Sequence, residues 1–187
     1  MRSDIPEQLL AVIGSIDAHG HASLTRLAVL EKWFEHPGRS PAFGLWVARR
    51  AAGRKGRTKG EAGALLDEVR ALLGPTSTLE SFTRPVDRNM VRTLYRRARD
   101  LQSEFQQQQS GPVRIIHCWP LLLVEQGLAL QLGEEDSPSA GYQLAADFCR
   151  HSAPRHRDSL CGPGRTKVME IVRFMFNIEA IEDQPER

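Results

Sequence analysis

Residues 86–108 read VDRNMVRTLYRRARDLQSEFQQQ, a stretch with neither Pro nor Gly in which Met90, Val91, Leu94, Ala98, Leu101 and Phe105 recur at steps of one, three and four. Those steps gather apolar side chains on one side of an α-helix, whereas a half-buried strand would need strict alternation. On the other side Arg88, Arg92, Arg96 and Arg99 stand at i, i+4, i+8 and i+11, so they share a face. Asp87 and Asp100 can balance only part of that charge.

The same periodicity extends in both directions. Asp4 is placed as N-cap of a helix over about 5–17 with Leu9, Leu10, Val12, Ile13 and Ile16 as its apolar set. A second runs from Ser23 to Phe34 and is stopped by His36-Pro37-Gly38. Ser40 as N-cap and Pro41 in the first turn open a third, which reaches Gly53. Thr58 and Glu61 have capping-box spacing before a fourth over 59–73. Beyond the long helix, three more are expected over about 120–132, 139–152 and 166–181. No run of alternating Val, Ile or Thr with hairpin chemistry is found. The expectation is an all-α, single-domain bundle of seven or eight helices over 1–187, with any subdivision falling near 74–84.

A chain of 187 residues with 41% apolar and 26% charged residues has the composition of an ordinary soluble globular protein. Its longest apolar run, Trp119 to Val124, is far short of the roughly 20 residues that span a bilayer, so no membrane partner is expected. The N-terminal MRSDIPEQLL lacks the apolar core of a signal peptide. Three cysteines, Cys118, Cys149 and Cys161, leave at least one unpaired, which points to a reducing, cytoplasmic location.

The net charge of +2 conceals a polarised chain. Residues 46–60 carry Arg49, Arg50, Arg54, Lys55, Arg57 and Lys59 with no acid, while the C-terminal end carries Glu179, Glu182, Asp183 and Glu186. The tetrapeptide GRTK occurs at 56–59 and again at 164–167, each time before an amphipathic stretch. A basic loop feeding a helix N-terminus has the physics of an anion site, yet Thr precedes Lys, so neither copy is a Walker A loop, and plain helix capping by Thr explains both. The functional expectation is a non-enzymatic nucleic-acid-binding or nucleoprotein accessory subunit. The six cations of 46–60, the four arginines of the long helix, Arg165 and Lys167 would contact DNA or RNA phosphates. The alternative is a helical adaptor whose basic surface meets an acidic protein partner and whose acidic tail meets a basic one.

Other chemistry is weaker. Cys149, His151, His156 and Cys161 are zinc's ligand types, but no Cys-x-x-Cys knuckle is present and Cys149 shares an apolar face with Ala145 and Phe148. Packing is the expected role, and no cofactor is expected. Arg150-x5-His156 is similar to the Arg-x4–6-His spacing of the all-helical HEPN-type ribonucleases. Roughly two such spacings are expected by chance in so Arg-rich a chain, and Pro154 interrupts the stretch, so no activity is assigned. No nucleophile elbow, zincin motif or dinucleotide fingerprint is found. Trp33, Trp46 and Trp119 could stack on bases, but core packing is expected of them.

Overall fold

A computed structural model of the chain describes residues 4–14, 27–53, 58–74, 86–107, 119–134, 138–151 and 165–183, and among these it holds eight α-helices and no strand. They are α1 (Ile5–Gly14), α2 (Val29–Phe34), α3 (Arg39–Ala52), α4 (Gly60–Leu73), α5 (Arg88–Gln107), α6 (Trp119–Leu132), α7 (Pro138–His151) and α8 (Arg165–Glu182). The protein is therefore all-α. Contacts group the chain into two compact units, residues 1–40 with 137–187 and residues 41–136. Of the stretch near 74–84, only Gly74 is among the described residues.

The first unit is built from the two ends of the chain. Ile5, Leu9 and Ile13 recur every four residues on α1 and are buried where α1 packs on α8 and α2. The Asp4 carbonyl accepts the Gln8 N–H at 3.0 Å and its carboxylate accepts Gln8 Nε2 at 2.9 Å, so the helix begins where the sequence places it. α2 packs on α7, and α7 on α8. Trp33 is fully buried and meets the edges of Phe34 and Phe174, at centroid distances of 5.1 and 6.0 Å. Trp33 and Trp46 are thus core residues, as expected, while Trp119 is half-buried.

In the second unit α5 packs along α6, and α4 packs on both. Val91, Leu94 and Ala98 of the expected stripe are buried, and Leu101 and Phe105 are half-buried. Met90 is a correction: it is 50% exposed, because at about 100° per residue it stands at the edge of the apolar arc, well round from the fully buried Val91 and Ala98. Tyr95 and Gln102 are buried instead. α3 crosses α6 at two glycines. A Cβ added to Gly127 would stand 2.5 Å from the Gly44 carbonyl oxygen and 3.2 Å from the Ala48 Cβ, so the two backbones touch.

Helix ends show where local reading succeeds and fails. Asp87 is the N-cap of α5, its carboxylate accepting the Asn89 N–H at 2.8 Å and the Met90 N–H at 3.4 Å. It is engaged at the helix start rather than set against the arginines. α6 ends in a Schellman motif, with Gly133 at φ 73°, its N–H donating to Leu130 O and the Glu134 N–H to Ala129 O. The Thr58 cap is a correction. The N-cap of α4 is Lys59, with extended backbone and no side-chain cap bond, and the helix starts at Gly60. Ser40 is likewise not an N-cap, because α3 begins one residue earlier at Arg39. The 5–17 and 23–34 expectations are described only as far as Gly14 and from Leu27; residues 15–26 lie outside the described residues.

Candidate nucleic-acid interface

At about 100° per residue, Arg88, Arg92, Arg96 and Arg99 fall within roughly 80° of arc on α5 and span about 16 Å of its axis. Arg88, Arg96 and Arg99 are exposed and Arg92 is half-buried. Arg88 has a separate task. Its Nη2 donates to the Leu132 carbonyl at 3.1 Å, closing the C-terminus of α6 where the helix dipole favours a cation. Arg92, Arg96 and Arg99 make no ion pair with another described residue. Their charge is available. Arg97, which the helical repeat does not place with the other four, lies on the opposite side of α5 and grips Glu68 of α4 through Nη1 and Nη2. Those hydrogen bonds hold the Glu68 carboxyl below its ordinary range, with a smaller opposing effect from burial. The pair is exposed and contributes little to stability.

The remaining basic residues divide. Arg49 is 3% exposed and Lys167 7%, so burial corrects their assignment to a phosphate surface. Lys167 lies over the Phe148 ring at 5.0 Å and pairs with Glu170 at 3.1 Å. Arg50 is half-buried, and Lys59 and Arg165 are exposed. Arg54, Lys55 and Arg57 lie outside the described residues. The two GRTK copies have different structures: Lys59 precedes the first turn of α4, whereas Arg165, Thr166 and Lys167 are themselves the first turn of α8. Identical tetrapeptides in different registers to their helices do not form a common anion loop.

Cys149 is a free thiol, 1% exposed. Burial pushes it up to about 12 from an ordinary 9.0; Lys167 offsets part of that rise and Glu170 adds to it. No three His, Cys, Asp or Glu among the described residues are grouped to hold a metal. His156 and Cys161 lie outside the described residues, and of His151 only its place at the end of α7 is described. A three-unit rise cuts the thiolate fraction about a thousandfold at neutral pH. Alkylation of native protein, read by peptide mass mapping that separates Cys149 from Cys118 and Cys161, should therefore label Cys149 only at the rate of unfolding. Labelling within seconds under native conditions would show the thiol to be accessible.

The strongest electrostatic cluster lies elsewhere. Arg39, 5% exposed, donates Nε to both oxygens of Glu182 at 3.1 and 3.2 Å and Nη2 to Oε2 at 2.7 Å. Its Nη1 reaches the Trp33 carbonyl at 3.4 Å and stands 3.8 Å from Glu179 Oε1, and its guanidinium lies 4.8 Å from the Trp33 ring centroid. Trp33 Nε1 donates to the same Glu179 oxygen at 3.0 Å. Of the acidic tail, Glu179 and Glu182 thus face an internal arginine, while Asp183 is exposed and Glu186 lies outside the described residues. Only a hint was readable in sequence, Glu179 and Glu182 standing three residues apart in the last turns of a helix rich in apolar residues.

No family model matches the chain, and neither a curated protein nor a solved structure matches it. No helix among the described residues is long and apolar enough to cross a membrane.

Proposed function

We propose that the protein is a nucleic-acid-binding subunit that contacts phosphates through the outer face of α5, with Arg92, Arg96 and Arg99 as the principal cations. The observation that carries this reading is that these three guanidinium groups share one helix face and make no ion pair with another described residue. Like charges so placed repel one another until an anion lies opposite. Contacts of this kind position a protein on a polyanion without reading bases. No reaction is assigned to the site.

Replacing Arg92, Arg96 and Arg99 together by Gln is the test, because Gln keeps helix propensity and most of the aliphatic stem. Arg88 is left in place, since it closes α6. Helicity and melting should persist. The slope of log affinity against log salt should become shallower by about 2.7 on duplex DNA, or about 2.1 on a single strand, at 0.9 or 0.7 per contact. An unchanged slope with intact folding would remove α5 from the interface. Retention of the parent protein, but not the variant, on an acidic protein rather than on nucleic acid would establish the adaptor alternative.

A further inference from the structure

Arg92, Arg96, Asp100 and Glu104 stand four residues apart along one i, i+4 ridge of α5, two cations followed by two anions. Arg96, Asp100 and Glu104 are exposed and Arg92 is half-buried. None of the four makes an ion pair with another described residue, although Arg96 and Asp100 are a single turn apart. The ridge is complementary to itself: a reversed copy sets Arg92 against Glu104 and Arg96 against Asp100. The exposed neutral side chains beside it obey the same symmetry, since Asn89 and Gln107, and Thr93 and Ser103, are equally far from position 98.

We infer that a second copy of this chain docks antiparallel on this ridge, with Arg92–Glu104 and Arg96–Asp100 ion pairs each formed twice about a two-fold axis, and that this self-association withholds Arg92 and Arg96 from phosphates. The second half rests on the phosphate-contact reading above; the first does not. Each four-residue step advances the ridge by about 40° around α5, so it is inclined by about 26° to the helix axis. A partner laid straight along α5 would meet only part of it. Two copies crossing at about 50° bring their ridges parallel from end to end, and the two-fold axis through the ridge centre then faces each cation with an anion. A uniformly anionic ligand matches only the first half of the ridge, whereas a second copy matches all of it. Exposed ion pairs are individually weak, and one helix crossing is smaller than the roughly 1,200 Å² of a stable interface, so the dimer is loose and released by salt. That weakness suits the role, because a polyanion that also engages Arg99 can displace the second copy.

The test is sedimentation of the full chain, free of nucleic acid, at about 0.01 M and about 0.5 M salt, where charges act over about 30 Å and about 4 Å. The parent should dimerise at low salt and be monomeric at high salt. Arg92→Glu/Arg96→Glu makes the ridge wholly acidic and Asp100→Arg/Glu104→Arg makes it wholly basic. Each variant alone should lose at least about tenfold in self-affinity, and an equimolar mixture of the two should regain it, which also shows that neither variant has lost its fold. Parent chains carrying donor and acceptor dyes should lose energy transfer when a short DNA duplex is added in excess, because each duplex then holds a separate chain. A parent that is monomeric at both salts, variants that dimerise as the parent does, or a mixture that stays monomeric would overturn the inference. Energy transfer that survives while the duplex binds would overturn its regulatory half. A parent that dimerises yet binds no duplex would remove the phosphate reading, and the regulatory half with it, but leave the self-association standing. One that binds duplex yet never dimerises would leave nucleic acid as the occupant of the ridge.

Discussion

Arg39→Ala is expected to lower the unfolding free energy by about 3–5 kcal/mol, the range measured when one partner of a buried ion pair is removed. Three of the guanidinium's hydrogen bonds go to Glu182, and the Glu179 carboxylate it faces is 1% exposed. Alanine would leave that charge inside the protein without the Arg39 guanidinium, and would also strip the cation from the Trp33 ring. Arg39→Lys should recover only part of the loss, because an ammonium cannot form the two parallel bonds that the planar fork makes. Glu182→Gln should cost much less, since the Glu182 side chain is 29% exposed and water can replace the carboxylate's interactions. Urea midpoints with an unchanged m-value are the measurement. A cost below about 1 kcal/mol for Arg39→Ala would mean that the cluster contributes little beyond solvated surface pairing.

Gly127→Ala is the second large effect, and its sign carries the information. In an exposed helix interior this change stabilises by about 1 kcal/mol, because alanine is the better helix former. At the α3–α6 crossing the new methyl would stand 2.5 Å from the Gly44 carbonyl oxygen, so the helices must separate and unpack. A net destabilisation of about 1–3 kcal/mol or more is expected instead. Gly14→Ala is the contrast, since a Cβ there meets nothing within 4 Å and should be neutral or slightly stabilising. Gly44→Ala should resemble Gly127→Ala, and the two together should cost less than their sum, because one separation of the helices accommodates both methyls. Stabilisation by Gly127→Ala would show that the backbones do not touch.

The candidate interface was partly legible in the sequence. Arg92, Arg96 and Arg99 could be assigned to one face because a shared face depends only on the helical repeat. That Arg88 closes α6 was not readable, because its acceptor, the Leu132 carbonyl, lies 44 residues away. Asp87 looks like balancing charge in the sequence and is a cap in the structure, a distinction that turns on whether α5 starts before or after it. The GRTK copies mislead for a related reason: four identical residues do not determine which of them is the first inside the helix. Gly60 and Arg165 are the first helical residues of α4 and α8, so the tetrapeptide ends before one helix and lies largely inside the other.

By itself the sequence determined the secondary structure, since periodicity, Pro and Gly stops and the Asp4 cap act over four residues or fewer and need no tertiary contact to take effect. Each expected helical segment, the long central one included, has its counterpart among the eight helices. Only tertiary structure decided which charges remain outside. Arg39, Arg49 and Lys167 are as cationic in sequence as Arg96, yet they are buried, and the carboxylates that hold Arg39 lie 140 or 143 residues further along the chain, Glu179 and Glu182. The fate of a charge depends on the free energy of its surroundings once water is removed, and those surroundings are assembled from segments that no local pattern connects.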